Sequence, residues 1–212
     1  QASYQFRYGV FVRMTLVTGL RLGEVVGLRW CDIDFYTNML HVNQTLNRLQ
    51  RYDDDEADSK TEIVTQTPKL QNSIRSIPML PELVMDLQNW RTVQMQDAAA
   101  MGTSYFDSGL IATQENGLYV EPRLMREYYQ KMLAAANLPN YNFHALRHTF
   151  ATRAMEQGMD AKTLSILLGH YSVGFTLDTY AHVLTDQKWT AMQTMANMYN
   201  MEPPLRQPIQ FF

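Results

Sequence analysis

The spacing of apolar residues changes twice along this 212-residue chain. Residues 4–18 are apolar at helical spacing, and Gly19 follows where a helix cap is expected. Between about residue 30 and residue 80 the chain is rich in β-branched residues that partly alternate, which is typical of strands. Helical spacing returns after Pro81. This order predicts an α+β fold, a mainly helical domain with a small antiparallel β-sheet and an extended β-hairpin.

Four runs carry the strand pattern, WCDIDF, MLHVNQTLNRL, TEIVTQTP and NSIRSIPML. The acidic segment DDDEAD, residues 53–58, falls between the second and third runs. We expect it to be a solvated insertion within the longest hairpin. The connection TPKLQNS, which carries Lys69, is expected to be exposed at the end of that hairpin.

The rest of the chain reads as helices joined by short connections. The helical segments are residues 21–28, one beginning at Pro81, one beginning at Pro122, and residues 143–157, 161–168, 174–182 and 186–198. Residues 1–200 are therefore predicted to form one domain. Residues 201–212 contain three prolines and end in IQFF, so this tail should not continue a helix and is expected to dock on this domain or on a neighbouring protomer.

Composition limits the environment in which such a chain works. No apolar run approaches the roughly 18 residues of a membrane span, and no secretory leader is recognisable. The single Cys31 cannot form an internal disulfide and fits a reducing compartment. We therefore expect a cytoplasmic protein. Because the chain opens on Gln1 and runs directly into an apolar segment, we also expect it to be part of a longer protein.

The net charge of −3 argues, taken alone, against a polyanionic partner. The acidic run at residues 53–58 contributes five of the negative charges, and setting them aside changes the sum from −3 to +2. A solvated acidic loop has little influence on a surface elsewhere. The charge therefore does not exclude a nucleic-acid partner.

The segment HALRH places His144, Arg147 and His148 within one helical turn of each other. Two histidines at this spacing can bind zinc in metalloproteases, but that chemistry needs a glutamate directly after the first histidine, and Ala145 stands there. A metal site is therefore not favoured. The simpler interpretation of His148 is a partly buried, hydrogen-bonded helix residue.

Arg147 lies among apolar residues on a helix that is expected to be largely buried. A buried guanidinium needs an anionic partner, since its desolvation would otherwise be uncompensated. That partner is either an internal carboxylate, for which Glu24 is a candidate, or a bound anion. Arg21 also fits an anion site, because it stands at a helix start where backbone N–H groups are free.

Three further residues have the chemistry of a phosphate site. Lys69 lies in the TPK segment, His170 follows the helix end marked by Gly169, and Tyr180 comes ten positions later. Taken singly, each has an ordinary structural interpretation. A free tyrosine has a pKa of about 10, so its attack on phosphorus would need proton removal or strong local positive charge.

Five segments in this order, TGLRLGE, TPKLQNSIRSIP, HALRHTFAT, LLGH and Tyr180, resemble the catalytic domain of the tyrosine recombinases, the phage-integrase family. The resemblance extends from about Phe11 to His182. With its long acidic insertion, the TPK region is most similar to the integrases of conjugative transposons and related mobile elements. Leu70 departs from the small or charged residue expected beside the lysine.

The resemblance implies a DNA strand transferase that works without metal, ATP or any other cofactor. Tyr180 would attack a DNA phosphodiester and leave a 3′-phosphotyrosine and a free 5′-hydroxyl. Arg21, Arg147 and His170 would bind the scissile phosphate. Lys69 would protonate the leaving oxygen.

Two more roles follow from the same resemblance. His144 would assist proton transfer at the tyrosine, and Glu24 would support the active-site arginines. The implied function is site-specific recombination for integration and excision of a mobile element, in the bacterial cytoplasm and in association with the nucleoid. Alternatives are DNA relaxation of the type IB topoisomerase kind and a DNA-binding module without catalysis.

The implied partners are double-stranded DNA, other recombinase protomers in a tetrameric synapse, and accessory DNA-bending or excision factors. No membrane partner is expected. Family members normally clamp DNA with a preceding DNA-binding domain, so this chain alone should bind DNA weakly and with a strong dependence on salt.

Overall fold

A computed structural model of the chain describes residues 2–50, 61–66, 73–180 and 192–199. The helices are α1 Gly9–Thr18, α2 Leu22–Gly27, α3 Pro81–Met101, α4 Pro122–Ala135, α5 His144–Glu156, α6 Ala161–Leu168 and α7 Val173–Thr179, and residues 192–198 are also helical. The strands are β1 Ile33–Asp34, β2 Met39–Val42, β3 Thr45–Gln50, β4 Thr61–Gln66 and β5 Arg75–Pro78. The predicted α+β class is confirmed.

The first predicted helix is divided in the structure. Ala2–Gln5 form a short 3-10 helix, and α1 begins only at Gly9. Gly19 ends α1 at φ 67°, and its N–H donates to the Thr15 carbonyl, as the sequence predicts. A Cβ at Gly19 would lie 2.6 Å from Phe150 and 2.7 Å from Leu168, so only glycine lets this turn pack against α5 and α6.

The strands form two antiparallel sheets where one was expected. β1, β2 and β5 form one sheet in the order β1-β2-β5, and β3 and β4 form the other. The ladder between β2 and β5 ends at the pair Val42 and Arg75. The ladder between β3 and β4 begins three residues later in the chain, at the pair Thr45 and Gln66. Asn43 and Gln44 alone separate β2 from β3, whereas residues 67–74 separate β4 from β5.

This register corrects the expected place of the TPKLQNS segment. The paired strands β3 and β4 are joined by residues 51–60, which contain the acidic run. The TPKLQNS segment instead connects β4 to β5, and those strands pair with β3 and β2 rather than with each other. Lys69 and the acidic run both lie outside the described residues.

The core surrounds α1, which packs against α3, α4 and α5. Its fully buried side chains include Phe11, Met14, Leu87 and Met125. Burying a side chain of this size stabilises the fold by about 1.5–3 kcal/mol. A smaller cluster, made of Ala151, Met155, Leu164, Leu168 and Tyr180, joins α5 and α6 to the end of α7.

Several predicted helix boundaries are confirmed, but one more is wrong besides the start of the first helix. Pro81 and Pro122 each begin a helix, and α6 covers the predicted residues. The helix predicted over residues 174–182 ends at Thr179, because Tyr180 has left helical geometry. The predicted start of the next helix near Asp186 and the tail at residues 201–212 lie outside the described residues. No helix in the described part is long and apolar enough to cross a bilayer.

Candidate active site

The Glu24 side chain accepts two hydrogen bonds from Arg21 at the start of α2. The backbone N–H of Arg21 donates to Glu24 Oε2 at 2.7 Å, and its Nη1 donates to Oε1 at 3.0 Å. The Glu24 side chain is 1% exposed, whereas that of Arg21 is 39% exposed. The sequence predicted a free helix start open to an external anion. That prediction is wrong for this N–H, since the Glu24 carboxylate occupies it.

Arg75 is the second partner of Glu24, and the sequence reasoning missed it. Its Nη1 and Nη2 each donate to one carboxylate oxygen at 2.9 Å, and its side chain is 3% exposed. A signal for it exists in the sequence. Alternation in β5 places Arg75 on the same face as Ile77, which is buried in the core.

The charge state of Glu24 follows from these contacts. Burial raises the pKa of its carboxyl, but hydrogen bonds and charge from Arg75 and Arg21 outweigh burial, so the net pKa lies below its usual value. Glu24 is therefore ionised at neutral pH and holds two guanidinium groups in place.

Arg147 is buried as predicted but does not hydrogen-bond to Glu24, which corrects the internal partner considered from the sequence. Its Nη1 donates to the Gly19 carbonyl and its Nη2 to the Leu168 carbonyl, both at 2.7 Å. These acceptors are neutral, and the residue is only 2% exposed. Within the described part of the chain no carboxylate hydrogen-bonds to Arg147, so these contacts hold its positive charge without neutralising it.

Three arginines from three different elements bind the end of α6. The successive carbonyls of Leu167, Leu168 and Gly169 accept from Arg75, Arg147 and Arg21 at 2.6, 2.7 and 3.2 Å. Carbonyls at a helix C-terminus carry partial negative charge and lack helical partners, so cations stabilise them. Gly169 has φ 63°, and a Cβ there would lie 2.9 Å from Arg75 Nη1.

The local charge is strongly positive. Three guanidiniums against one carboxylate leave 3 − 1 = +2 on this cluster, made of Arg21, Arg75, Arg147 and Glu24. Burial, together with the charges of Arg21 and Arg75 and against the opposing charge of Glu24, lowers the pKa of Arg147 to about 9. Arg147 is still charged at neutral pH. The cluster is therefore suited to receive an anion.

His170 follows directly on the end of α6 and lies beside the arginine cluster. Its Nδ1 lies 2.7 Å from the Oγ1 of the fully buried Thr176, and its ring meets Phe175 edge-on at 4.9 Å. Burial and then Arg147, Arg21, Arg75 and His144 lower its pKa to about 4. His170 is therefore neutral at neutral pH. If Thr176 donates to Nδ1, Nε2 carries the proton and can donate to a bound anion.

This depressed pKa predicts how stability depends on pH. The folded pKa of His170 is about 4 and the unfolded value is 6.5, so the unfolded state binds the proton first. The stabilising contribution is complete above pH 6.5 and is lost as the pH falls toward 4. Between pH 7 and pH 5 the unfolding free energy should drop by about 2 kcal/mol more in the wild type than in His170→Asn, measured by urea denaturation. Equal decreases in unfolding free energy for the wild type and His170→Asn would contradict this prediction.

His144 and His148 project from successive turns of α5, and their rings meet edge-on at 4.7 Å. Partial burial and the nearby His148, Arg147 and Arg21 lower the pKa of His144. His148 is exposed, not partly buried as predicted, but it is hydrogen-bonded as predicted. Within the described residues, no group of three or more His, Cys, Asp or Glu side chains is placed to hold a metal ion.

Tyr180 directly follows α7 and is 3% exposed. Its hydroxyl lies 3.2 Å from the Nδ1 of His148. Burial raises the pKa of Tyr180, and the charge of Arg147 offsets part of that rise. The phenol is protonated at rest. The structure brings together four of the predicted site residues: Arg21 contacts Glu24, and the charges of Arg21 and Arg147 act on His170. The charge of Arg147 also acts on His144 and Tyr180.

Comparison with known proteins identifies the family of this chain. A family model described as the phage integrase family matches residues 1–187. The chain belongs to the phage integrase family. The resemblance seen in the five sequence segments is thereby confirmed.

Phage-integrase relatives cover most of this chain. A tyrosine recombinase XerC-like protein of Caldanaerobacter subterraneus subsp. tengcongensis is 35% identical over 185 residues, 86% of this chain and 47% of that protein. The transposase from transposon Tn916 of Enterococcus faecalis is 26% identical over 193 residues, 87% of this chain and 44% of that protein. The chain thus spans about half the length of the curated relatives it matches.

A solved phage-integrase structure has the same fold. The integrase of transposon Tn1549, in complex with transposon right-end DNA, superposes with a TM-score of 0.71 at 26% identity and covers 91% of this chain and 60% of that one. The predicted likeness to integrases of mobile elements agrees with these transposon relatives.

Proposed function

We propose that this chain is the catalytic domain of a site-specific DNA recombinase that cuts and rejoins double-stranded DNA through Tyr180. The observation that carries the proposal is the arginine cluster, which has a net charge of +2 and lies beside a buried tyrosine. Relatives that bear transposon or recombinase names, one of them bound to DNA, support it.

In the proposed reaction, Arg21, Arg147 and the Nε2–H of His170 bind the non-bridging oxygens of the scissile phosphate. Charge grows on these oxygens during attack, and a preorganised donor aimed at such a position contributes about 3–4 kcal/mol by mutation. A unit charge at about 4 Å adds about 4 kcal/mol at an effective dielectric near 20. The positive cluster therefore supplies a large part of the transition-state stabilisation.

Tyr180 Oη forms the new bond to phosphorus, and the bond from phosphorus to the 5′-oxygen breaks. Lys69 gives the leaving oxygen its proton, since a lysine with a pKa of about 10.4 is protonated at neutral pH. His144 assists proton transfer at the tyrosine. The bond energy is retained in the 3′-phosphotyrosine, so rejoining needs no ATP.

Glu24 has a positioning role in this scheme. It fixes Arg21 and Arg75, which both bind the end of α6, next to His170. Substrate DNA therefore meets donors whose places are set before binding, which is the condition for strong electrostatic catalysis.

The assembly is proposed on the family's pattern. Several protomers would join on DNA in a tetrameric synapse, with residues 201–212 docking in cis or on a neighbour and with accessory DNA-bending or excision factors. The element's integration and excision would take place on chromosomal DNA of a bacterium.

The proposed function is tested by trapping the covalent product. Because the DNA site is not known, the probe is a pool of nicked duplexes with a randomised central segment, incubated with the chain in low salt and EDTA. We expect a protein–DNA adduct that survives SDS, and sequencing of the trapped DNA identifies a preferred duplex. If no duplex gives an adduct, or if an adduct requires added zinc, the proposal fails.

A further inference from the structure

We propose that His148 takes the proton from the Tyr180 hydroxyl as that oxygen attacks phosphorus. The inference rests on the proposed function and assigns one of its proton transfers to a different residue. His148 was expected only to be a helix residue with a hydrogen bond. The structure gives that hydrogen bond a partner, and the partner is the proposed nucleophile.

The contact involves a tyrosine ring that is packed in place. His148 Nδ1 lies 3.2 Å from Tyr180 Oη, and the ring centroids are 6.0 Å apart. The Tyr180 ring packs in the cluster that contains Met155 and Leu164. Its backbone N–H donates to the Thr176 carbonyl at 3.1 Å. These contacts set the position of the Tyr180 hydroxyl that His148 meets.

The place of His148 on α5 joins the nucleophile to the phosphate site. It directly follows Arg147, whose two carbonyl hydrogen bonds fix this turn of the helix against Gly19 and Leu168. One helical turn therefore presents a phosphate-binding guanidinium and a base beside the attacking oxygen. A base has to lie within hydrogen-bond reach of the proton it removes, and His148 meets that condition.

His144 lies one turn before His148 on α5. Its ring meets the edge of His148 at 4.7 Å, and among the described residues the hydrogen bond recorded for the Tyr180 hydroxyl is the one to His148. Among the described residues, the titratable groups that contact His148 are His144 on α5 and Tyr180 after α7. His144 assists the proton transfer through its contact with His148.

The proton transfer balances over the two steps. A neutral His148 with its proton on Nε2 has a lone pair on Nδ1, and that atom takes the proton from Oη as the bond from Oη to phosphorus forms. The departing 5′-oxygen keeps the electron pair of the broken bond and is protonated by Lys69. During rejoining, the 5′-hydroxyl attacks phosphorus and returns its proton to the neutral Lys69 amine, while the bond from phosphorus to Oη breaks and the His148 imidazolium returns its proton to Oη.

The exposure of His148 makes the inference testable without disturbing the core. We expect His148→Ala to form the Tyr180 adduct about 100-fold more slowly on the preferred duplex under single-turnover conditions, within the range typical of one acid–base group. Free imidazole should restore part of the rate, since the side chain it replaces is open to solvent. His148→Asn keeps an acceptor near the Nδ1 position but cannot take a proton, and it should remain slow.

Thr149→Ala is the matched control. Thr149 is the next exposed residue on α5, and its Oγ1 donates to the Ala145 carbonyl of its own helix at 2.9 Å. It should react at the wild-type rate and not respond to imidazole. The inference is overturned if His148→Ala is as fast as wild type, if imidazole cannot accelerate it, or if His148→Asn recovers the full rate. A wild-type chain that gives no adduct on any duplex would instead overturn the proposed function.

Discussion

Tyr180→Phe is expected to abolish the covalent protein–DNA adduct while leaving the fold and DNA binding intact. The substitution removes the single oxygen that is proposed to attack phosphorus. We expect no group of the arginine cluster to replace it as the nucleophile. The ring stays in its buried position, and the lost hydrogen bond to His148 costs only about 1 kcal/mol of stability. The measurement is SDS-resistant adduct on the preferred nicked duplex, beside DNA binding by mobility shift.

Tyr36→Phe is the control for this experiment. Tyr36 is 97% exposed and lies in the turn between β1 and β2, away from the arginine cluster. The substitution Tyr36→Phe removes a phenol oxygen that has no proposed role, so the adduct should form at the wild-type rate. An adduct that persists in Tyr180→Phe would show that another group attacks phosphorus.

Arg75→Met is expected to cause the largest loss of stability among substitutions in the arginine cluster. It leaves one side of the buried Glu24 carboxylate without a partner and removes the donors to the Leu167 and Ser73 carbonyls. Breaking a buried ion pair costs about 3–5 kcal/mol, and Arg21 still partners Glu24, so about 3 kcal/mol is expected. For a chain of this size that corresponds to a decrease in Tm of about 6–12 °C.

The matched control breaks an exposed pair by the same substitution. Arg123 pairs with Glu127 on α4, and its side chain is 83% exposed. Such surface pairs contribute about 0–1 kcal/mol, so Arg123→Met should change Tm little. Glu24→Gln combined with Arg75→Met should cost less than the sum of the single changes, because no unpaired carboxylate remains. Similar Tm values for Arg75→Met and Arg123→Met would contradict the structural role of the Arg75–Glu24 pair.

Local sequence signals predicted much of the helical framework. The glycine cap at Gly19 and the prolines that begin α3 and α4 each act within a few residues of themselves, so their effect can be read without a structure. The end of α7 was missed by three residues, because the Tyr180 ring turns into the cluster with Met155 and Leu164. That packing is a long-range effect.

Strand pairing was predicted less well for the same reason. The long run MLHVNQTLNRL divides into β2 and β3 at Asn43, and its two halves pair with strands on either side of residues 67–74. Alternation shows which face of a strand is buried but not which strand lies beside it. The sequence therefore misplaced the segment that carries Lys69.

The sequence named residues for the candidate site whose roles stay predictions, missed Arg75, and predicted the internal contacts less well. The sequence offered Glu24 as one candidate partner of Arg147, with a bound anion as the alternative, but Arg75 holds that carboxylate and Arg147 binds backbone carbonyls. Those partners are far away in the chain, and backbone carbonyls carry no residue-type signal. The contact between His148 and Tyr180 likewise joins residues on two helices.

The most direct test of the proposed chemistry is to identify the bond between the chain and DNA. The trapped adduct is digested with protease and nuclease, and the modified peptide is sequenced by mass spectrometry. The proposed mechanism predicts one phosphoryl-linked residue, Tyr180, joined to the 3′ end of the cleaved strand, with a free 5′-hydroxyl on the released strand. Linkage to another residue, linkage to a 5′ phosphate, or cleavage that leaves no protein on the DNA would contradict it.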